Sequence, residues 1–239
     1  MKNNLLSYLN KRMEEAEKEQ TPFVKPTGPV ITISREAGCG GIQISRQLAE
    51  ELNKYAYCGK WQVVSKEILS ESAQELQVTP KKVERLMKLD QHFAFEEILA
   101  AFTDKYYKSN RVIMKTVREV IRNFAVDGCC IILGRGGHII AGDIKNALHI
   151  RLIAPLEWRV NRISESRGLP YADALQYVKE TDQERDLLHK YFLKDKAAEE
   201  NYDLVIDVSR FSKGMVVRLI GHAFRCKCVP DPPNKIPYI

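Results

Sequence analysis

The sequence predicts an α/β fold built on a doubly wound parallel five-stranded sheet, and three observations predict it. Short apolar runs recur at Val30–Ser34, Gln62–Val64, Cys129–Leu133, Ala147–Ile153 and Asp203–Val208. Most lack the in–out alternation of a sheet with one wet face, as parallel strands covered on both faces should. Helical patterns fill the intervals between these runs, the alternation that builds a parallel sheet. Finally, Val30–Leu52 reads as a buried strand, a tight glycine turn and an amphipathic helix opening directly from that turn.

The elements follow in order. Residues 4–19 pattern as a helix with Leu5, Leu6, Leu9 and Met13 on one side, and residues 21–29, with three prolines, form a linker. Together residues 1–28 precede a domain spanning 29–225. Within it, the interval 66–127 is too long for one crossover and carries four helical segments: KEILSESAQEL, TPKKVERLMKLD, HFAFEEILAAFTDKYY and RVIMKTVREVIRNFA. Thr79-Pro80 has the form of an N-cap followed by a first-turn proline. The pattern fits an insert that closes over a second substrate and equally a structural cap. After the fourth strand a helix starts at Ala154-Pro155-Leu156-Glu157 and ends near Arg167-Gly168, and TDQERDLLHKYFLK makes a later helix. The tail 226–239 holds four prolines and is expected to be extended.

Composition bounds the function classes. A chain of 239 residues, 44% hydrophobic, can bury one sizeable core with a small inserted subdomain. No run approaches the roughly 18 apolar residues of a membrane span. The N-terminus is charged and amphipathic, without the apolar core of a signal peptide, so the chain is expected in the cytoplasm with no membrane partner. The N-terminal helix offers a face that docks on its own domain or on a second subunit, as in a homo-oligomer. Six cysteines fit this picture as free thiols: Cys58, Cys129 and Cys130 lie in apolar or strand-like contexts, and Cys226-Lys-Cys228 is a poor zinc signal. The net charge of +6 suits a protein that handles polyanions, but no basic stripe with interleaved aromatics points to nucleic acid.

The chemistry concentrates at strand ends. Gly38, Gly40 and Gly41 permit positive φ and expose consecutive N–H groups, which with the following helix N-terminus suit a phosphate chain. The stretch is not a Walker A motif: laid on G-x-x-x-x-G-K-[ST], Arg35 takes the first glycine, Gly41 the lysine and Ile42 the hydroxyl position. Cys39, in the same turn, reads as a small residue in a serine-like place rather than a redox thiol. Gly134-Arg135-Gly136-Gly137 ends a buried strand and puts Arg135 at the carboxyl edge, where open α/β sheets bind ligands. A guanidinium there either holds a phosphate bidentately or is a solvated charge. Arg159 and Arg162 share one helix face, while Arg185, His189 and Lys190 lie on the later helix. The pair of helices is read either as a lid bearing inward cations or as a solvated hairpin with salt bridges to Glu180, Asp182 and Glu184.

In order and spacing, VITISREAGCGG, VVSKEIL, LGRGGHII, HIRLIAPLEWRVNRI and YDLVIDVSRFS resemble the cytidylate-kinase-like family of P-loop proteins, over roughly residues 29–224. The resemblance implies ATP and Mg²⁺ as cofactors and small nucleotide substrates, with CMP or dCMP as the first acceptor to test. It implies that Gly38, Cys39, Gly40, Gly41, Ile42 and Gln43 hold the nucleotide phosphates, and that Arg135, Gly136 and Ser65 contact the acceptor. The 66–127 insert becomes a monophosphate-binding or cap region and 165–195 the lid. Arg35, Arg159, Arg162 and Arg185 are the candidate catalytic cations; no protein metal ligand is assigned. The sequence departs from cytidylate kinases proper, where a P-loop lysine and following threonine occupy the places of Gly41 and Gln43. Leu133 and Gly136 stand in place of aspartates, which weakens the case for cytosine recognition. Ser65 replaces the aspartate that the family usually places before Lys66-Glu67. The lysine-free loop itself is common in the family. An arginine at position 35 is positioned to substitute for the missing charge. Two other readings remain open: a nucleotide-binding regulator with weak turnover, and a kinase for a different small acceptor.

Overall fold

The computed structural model describes residues 28–55, 57–65, 111–193 and 201–229. The expected N-terminal helix 4–19, the first three helical segments of the insert and most of the C-terminal tail lie outside these residues. Contacts divide the chain into two compact units, Met1–Pro26 with Val64–Phe124, and Thr27–Val63 with Ala125–Ile239. The described part of the first unit is Val64, Ser65 and the larger part of one helix, α2 (Arg111–Asp127), the last of the expected insert helices.

The strands are β1 (Val30–Arg35), β2 (Gln62–Val64), β3 (Cys130–Leu133), β4 (Ala147–Ile153) and β5 (Leu204–Asp207). They form the expected parallel five-stranded sheet in the order β2-β3-β1-β4-β5. β1 is central, with Ile33 level with Leu133 on one side and Ile150 on the other. From β1 the chain passes to the sheet edge at β2, returns inward to β3, then crosses to the other side of β1 for β4 and β5. This reversal brings the loops after β1 and β3 together at the carboxyl edge.

Alternation along β1 gives the sheet two different faces. Ile31 and Ile33 are fully buried on one. Gly41, the first residue of α1 (Gly41–Leu52), abuts Leu133 on that face. Ile44, Leu48 and Leu52 recur one turn apart along α1, which packs on α6 (Lys213–Cys228). Asn53 closes the loop after α1: it donates to Trp61 O (3.2 Å) and accepts from Trp61 N (2.8 Å). The indole then meets Phe224 of α6 edge-on, with centroids 5.1 Å apart. The opposite face carries Thr32, Ser34, His149 and Arg151, with Thr32 level with His149 and Ser34 with Arg151. There the short α3 (Gly137–Ile140) lies on β1, and a Cβ at Gly137 would fall 2.7 Å from Ile132 Cγ2.

Residues 156–193 form a helical hairpin. α4 (Leu156–Arg167) stops at Gly168, which adopts φ 66 as a left-handed C-cap. Leu169 N bonds Ser164 O, and the Ser164 hydroxyl returns a bond to Leu169 O. Pro170 follows, and α5 runs unbroken over Tyr171–Leu193. Val160, Ala174 and Val178 pack with Ala37 of the glycine loop, so this hairpin has its own small core at the loop's flank.

Three expectations are corrected. Cys58 and Cys129 are joined by a disulfide rather than free, their Cα atoms 6.1 Å apart but 71 residues apart in sequence, which leaves no local signal. Residues 226–228, expected in the extended tail, are helical, because α6 continues to Cys228, two positions before Pro230 in the sequence. The later helix begins at Tyr171, directly after Pro170, ten residues before Thr181. Among the described residues no helix is long and apolar enough to cross a membrane.

Candidate active site

The carboxyl edge of the sheet carries two glycine turns side by side. In the first, Gly38 (φ 86) and Gly40 (φ 71) take left-handed backbone, and no side chain caps α1 at Gly40. Cys39 N bonds Glu36 O and Gln43 N bonds Gly40 O, so these two amides serve the turn itself. The amides of Gly40, Gly41 and Ile42 precede the first N–H that donates within the helix, the position in which helices receive anions. Room for a ligand here depends on bare backbone: a Cβ on Gly40 would lie 2.6 Å from the Arg162 guanidinium, and one on Gly38 2.8 Å from Arg159 O. The Cys39 thiol points away into the core. Burial, then the Glu36 carboxylate, push its pKa up to about 12, which keeps it protonated and unreactive.

In the second turn Gly134, Arg135 and Gly136 all have positive φ, at 78, 57 and 64. For Arg135 that conformation is strained, and such outliers persist where the surroundings enforce them. Gly134 lies directly under the Arg35 guanidinium, and Gly136 under the Phe192 ring. Arg35 therefore spans both turns: its Cγ passes 3.2 Å from the Cβ position of Gly41 and its guanidinium ends on Gly134.

A cavity of about 260 Å³ opens beside this arginine. Ser34, Arg35 and Glu36 line it from β1, Gly134 and Arg135 from the second turn, and Arg151 from β4. α5 supplies Asp182, Arg185, Asp186, Leu188 and His189. Four guanidiniums against three carboxylates leave the walls cationic, suiting a compact anion.

The expected site residues are thus placed unequally. Arg35, Arg135 and Arg185 line the cavity, and Arg162 stands over Gly40 with its guanidinium 5.1 Å from the Trp158 ring centroid. Arg185 Nη1 also donates to Arg35 O at 3.0 Å. Arg159 does not face the cavity. It is buried, donates to Ala154 O and Ala37 O, and pairs with Asp182 at 2.5 Å and Glu36 at 3.3 Å. Asp182 in turn accepts from Ala37 N at 2.7 Å, so this cluster fastens α5 to the glycine loop. On this hairpin Asp182 pairs with Arg159, and Arg185, which lines the cavity, also lies 3.8 Å from Asp182. Ser65 follows β2 directly and is buried. Sequence reasoning passed over Glu36, Ser34 and Arg151. The last two do leave a signal, a hydroxyl and a charge inside mostly apolar strands.

The sequence profile of the cytidylate kinase-like family matches residues 30–210. A cytidylate kinase from Methanopyrus kandleri is 29% identical over 196 residues, covering 77% of this chain and 86% of that protein. A uronate isomerase from Corynebacterium glutamicum is 29% identical over 120 residues, but this covers only 50% of this chain and 23% of the isomerase. The crystal structure of an uncharacterized protein from Eubacterium ventriosum superposes with TM-score 0.56 at 20% identity, covering 82% of this chain and 98% of that one, a likeness of fold. Both glycine turns, the spanning arginine and all five strands fall inside the matched stretch, and the chain belongs to the cytidylate kinase-like family.

Proposed function

We propose that the protein is an ATP- and Mg²⁺-dependent phosphotransferase of the nucleoside monophosphate kinase type, with CMP or dCMP the first acceptors to test. The observation that carries this reading is Arg35, whose stem lies on the phosphate-loop glycine and whose guanidinium lies on the Gly-Arg turn. One cation thereby sits between a donor-phosphate cradle and an acceptor pocket. When bound, ATP supplies the phosphoryl group that passes to the acceptor's phosphate oxygen, and Mg²⁺ neutralises charge on the donor.

The remaining work is positioning and electrostatics, which dominate phosphoryl transfer. The amides of Gly38, Gly40, Gly41 and Ile42 hold donor phosphates, and Gln43, exposed in the first turn of α1, would be the residue to orient water on Mg²⁺ when the ion is bound. Arg35 takes the role of the absent lysine, Arg162 neutralises charge over the loop and Arg185 does so from α5. Arg135, held in a strained turn, takes the acceptor phosphate. Arg159 acts as a positioning residue, and the α4–α5 hairpin as the lid. The kinship with a cytidylate kinase supports CMP as acceptor.

The test is ADP release with Mg-ATP, with and without CMP, dCMP, UMP and AMP, for wild type, Arg35→Ala and Arg135→Ala. Acceptor-dependent turnover that falls about a hundredfold in Arg35→Ala is the expected result, the usual effect of removing one well-placed charge. ATP binding without turnover on any acceptor would point to the regulator instead, the reading favoured by Gly41 in the lysine position.

A further inference from the structure

The strained turn that carries Arg135 is gripped from two sides. On one flank the Arg35 guanidinium covers Gly134. On the other the Phe192 ring lies against Gly136, where an added Cβ would fall 2.6 Å from Cδ2 and 3.1 Å from Cε2. Gly137 N closes the turn on Gly134 O at 3.0 Å. Phe192 is fully buried, and only Ala174 and Val178 share that status on α5. Those two pack with Val160 and Ala37 at the flank of the glycine loop. The far end of the helix therefore spends its one buried side chain on the acceptor turn, and the proposed transfer gives that ring no part.

α5 ties the two turns together. At Asp182 it is fastened to the donor loop through Ala37 N, at 2.7 Å, and through Arg159. Ten residues later, about 15 Å along the axis, Phe192 seats it on Gly136. One turn before Phe192, the His189 ring meets His138 of α3, with centroids 4.7 Å apart. The helix between these attachments is unbroken. An arginine at φ 57 keeps that conformation where its surroundings forbid the commoner ones. A side chain also leaves its Cα in a direction that φ and ψ constrain, whatever its far end then meets.

We infer that Phe192 is a positioning residue for anion binding: packed on Gly136, it holds the turn in the shape that presents Arg135 to the cavity, and it makes that shape depend on α5. The inference takes from the proposed reading the role of Arg135 as the anion's ligand, and neither the nucleotide nor the transfer.

The experiment uses inorganic phosphate and full-length protein labelled with ¹⁵N-histidine, at fixed pH and ionic strength. His189 lines the cavity, so its ring signals, assigned with His189→Asn, report phosphate bound there. Phe192→Leu and Phe192→Met, which keep the site apolar and filled, should each bind phosphate about tenfold more weakly at an unchanged fold by circular dichroism. Phe224→Leu removes an equally buried ring that packs on Trp61 instead, and should leave the affinity unchanged. On an Arg135→Ala background Phe192→Leu should cause no further loss, because the ring acts through that arginine. Unchanged affinity in both Phe192 variants would overturn the inference. So would an equal loss in Phe224→Leu, or a tenfold loss that persists without Arg135. Intact phosphate binding with no ADP release on any acceptor would sink the kinase reading alone. ADP release by wild type, with phosphate affinity unchanged in both Phe192 variants, would sink this inference alone.

Discussion

Gly40 and Arg159 separate, at the scale of single residues, what binds from what braces. At Gly40 the backbone is left-handed, and an added methyl would meet the mobile end of Arg162. Gly40→Ala is therefore expected to cost about 1–2 kcal/mol of stability from backbone strain. It should weaken Mg-ATP at least tenfold, as calorimetric titration can check, because Arg162 is pushed off the loop. Arg159 should behave in the opposite way. Removing it takes from Asp182 and Glu36 the buried guanidinium that both pair with, leaving Asp182 only the longer contact to Arg185 (3.8 Å), so Arg159→Met is expected to lose about 3–5 kcal/mol in urea unfolding. The double variant with Asp182→Asn should lose less than the sum by about 1–3 kcal/mol. Additive losses would show that the cluster does not act as one brace. The sequence could not separate these roles. Arg159 and Arg162 lie one turn apart on the same helix, and only the loop that folds against them decides which is buried. The two glycine turns were legible because positive φ selects a residue type, whereas the Arg35 contact with Gly134 pairs residues almost a hundred positions apart.

Elements were legible where local chemistry sets their ends. β2 and β4 match expectation at both ends, and α4 ends at the glycine anticipated for it. The start of α5 and the end of α6 were misplaced where proline, the stronger signal, stood next to charged and cysteine-containing stretches that read as loop. The same physics predicts opposite outcomes for two glycines that each have open space around the missing Cβ. Gly168 caps α4 at φ 66, so Gly168→Ala should destabilise by about 1 kcal/mol, lowering Tm by roughly 2–4 °C. Gly214 lies in the first turn of α6 with no such backbone requirement, so Gly214→Ala should stabilise by about 0.4–1 kcal/mol. Thermal unfolding of both variants side by side checks the sign. Equal shifts in one direction would mean that α4 does not end in the left-handed turn.

Across the whole molecule, the buried histidines on the polar face of the sheet make stability depend on pH in a determinate direction. His138 is driven down to about 3 by burial, then by His189, His149 and Arg151, and burial lowers His149 as well. The unfolded chain, with histidine near its ordinary 6.5, binds protons that the folded protein refuses. Stability therefore rises with pH through the window between those values and is lost on acidification. Asp203 adds to the same trend lower down. Burial opposes its ionisation but is outweighed by Lys227 and the His149 N–H, so its contribution disappears as pH falls through its depressed pKa. For His138 alone the loss between pH 6.5 and pH 4 is roughly 3 kcal/mol, at about 1.4 kcal/mol per pH unit for one proton. Urea midpoints measured from pH 7 to pH 4 should fall steadily for wild type. They should fall less steeply for His138→Asn, whatever that variant loses in absolute stability. The difference in slope isolates one proton from the growing net positive charge that both proteins share. Parallel slopes would mean that the buried His138 ring takes up its proton in the folded protein as readily as in the unfolded chain.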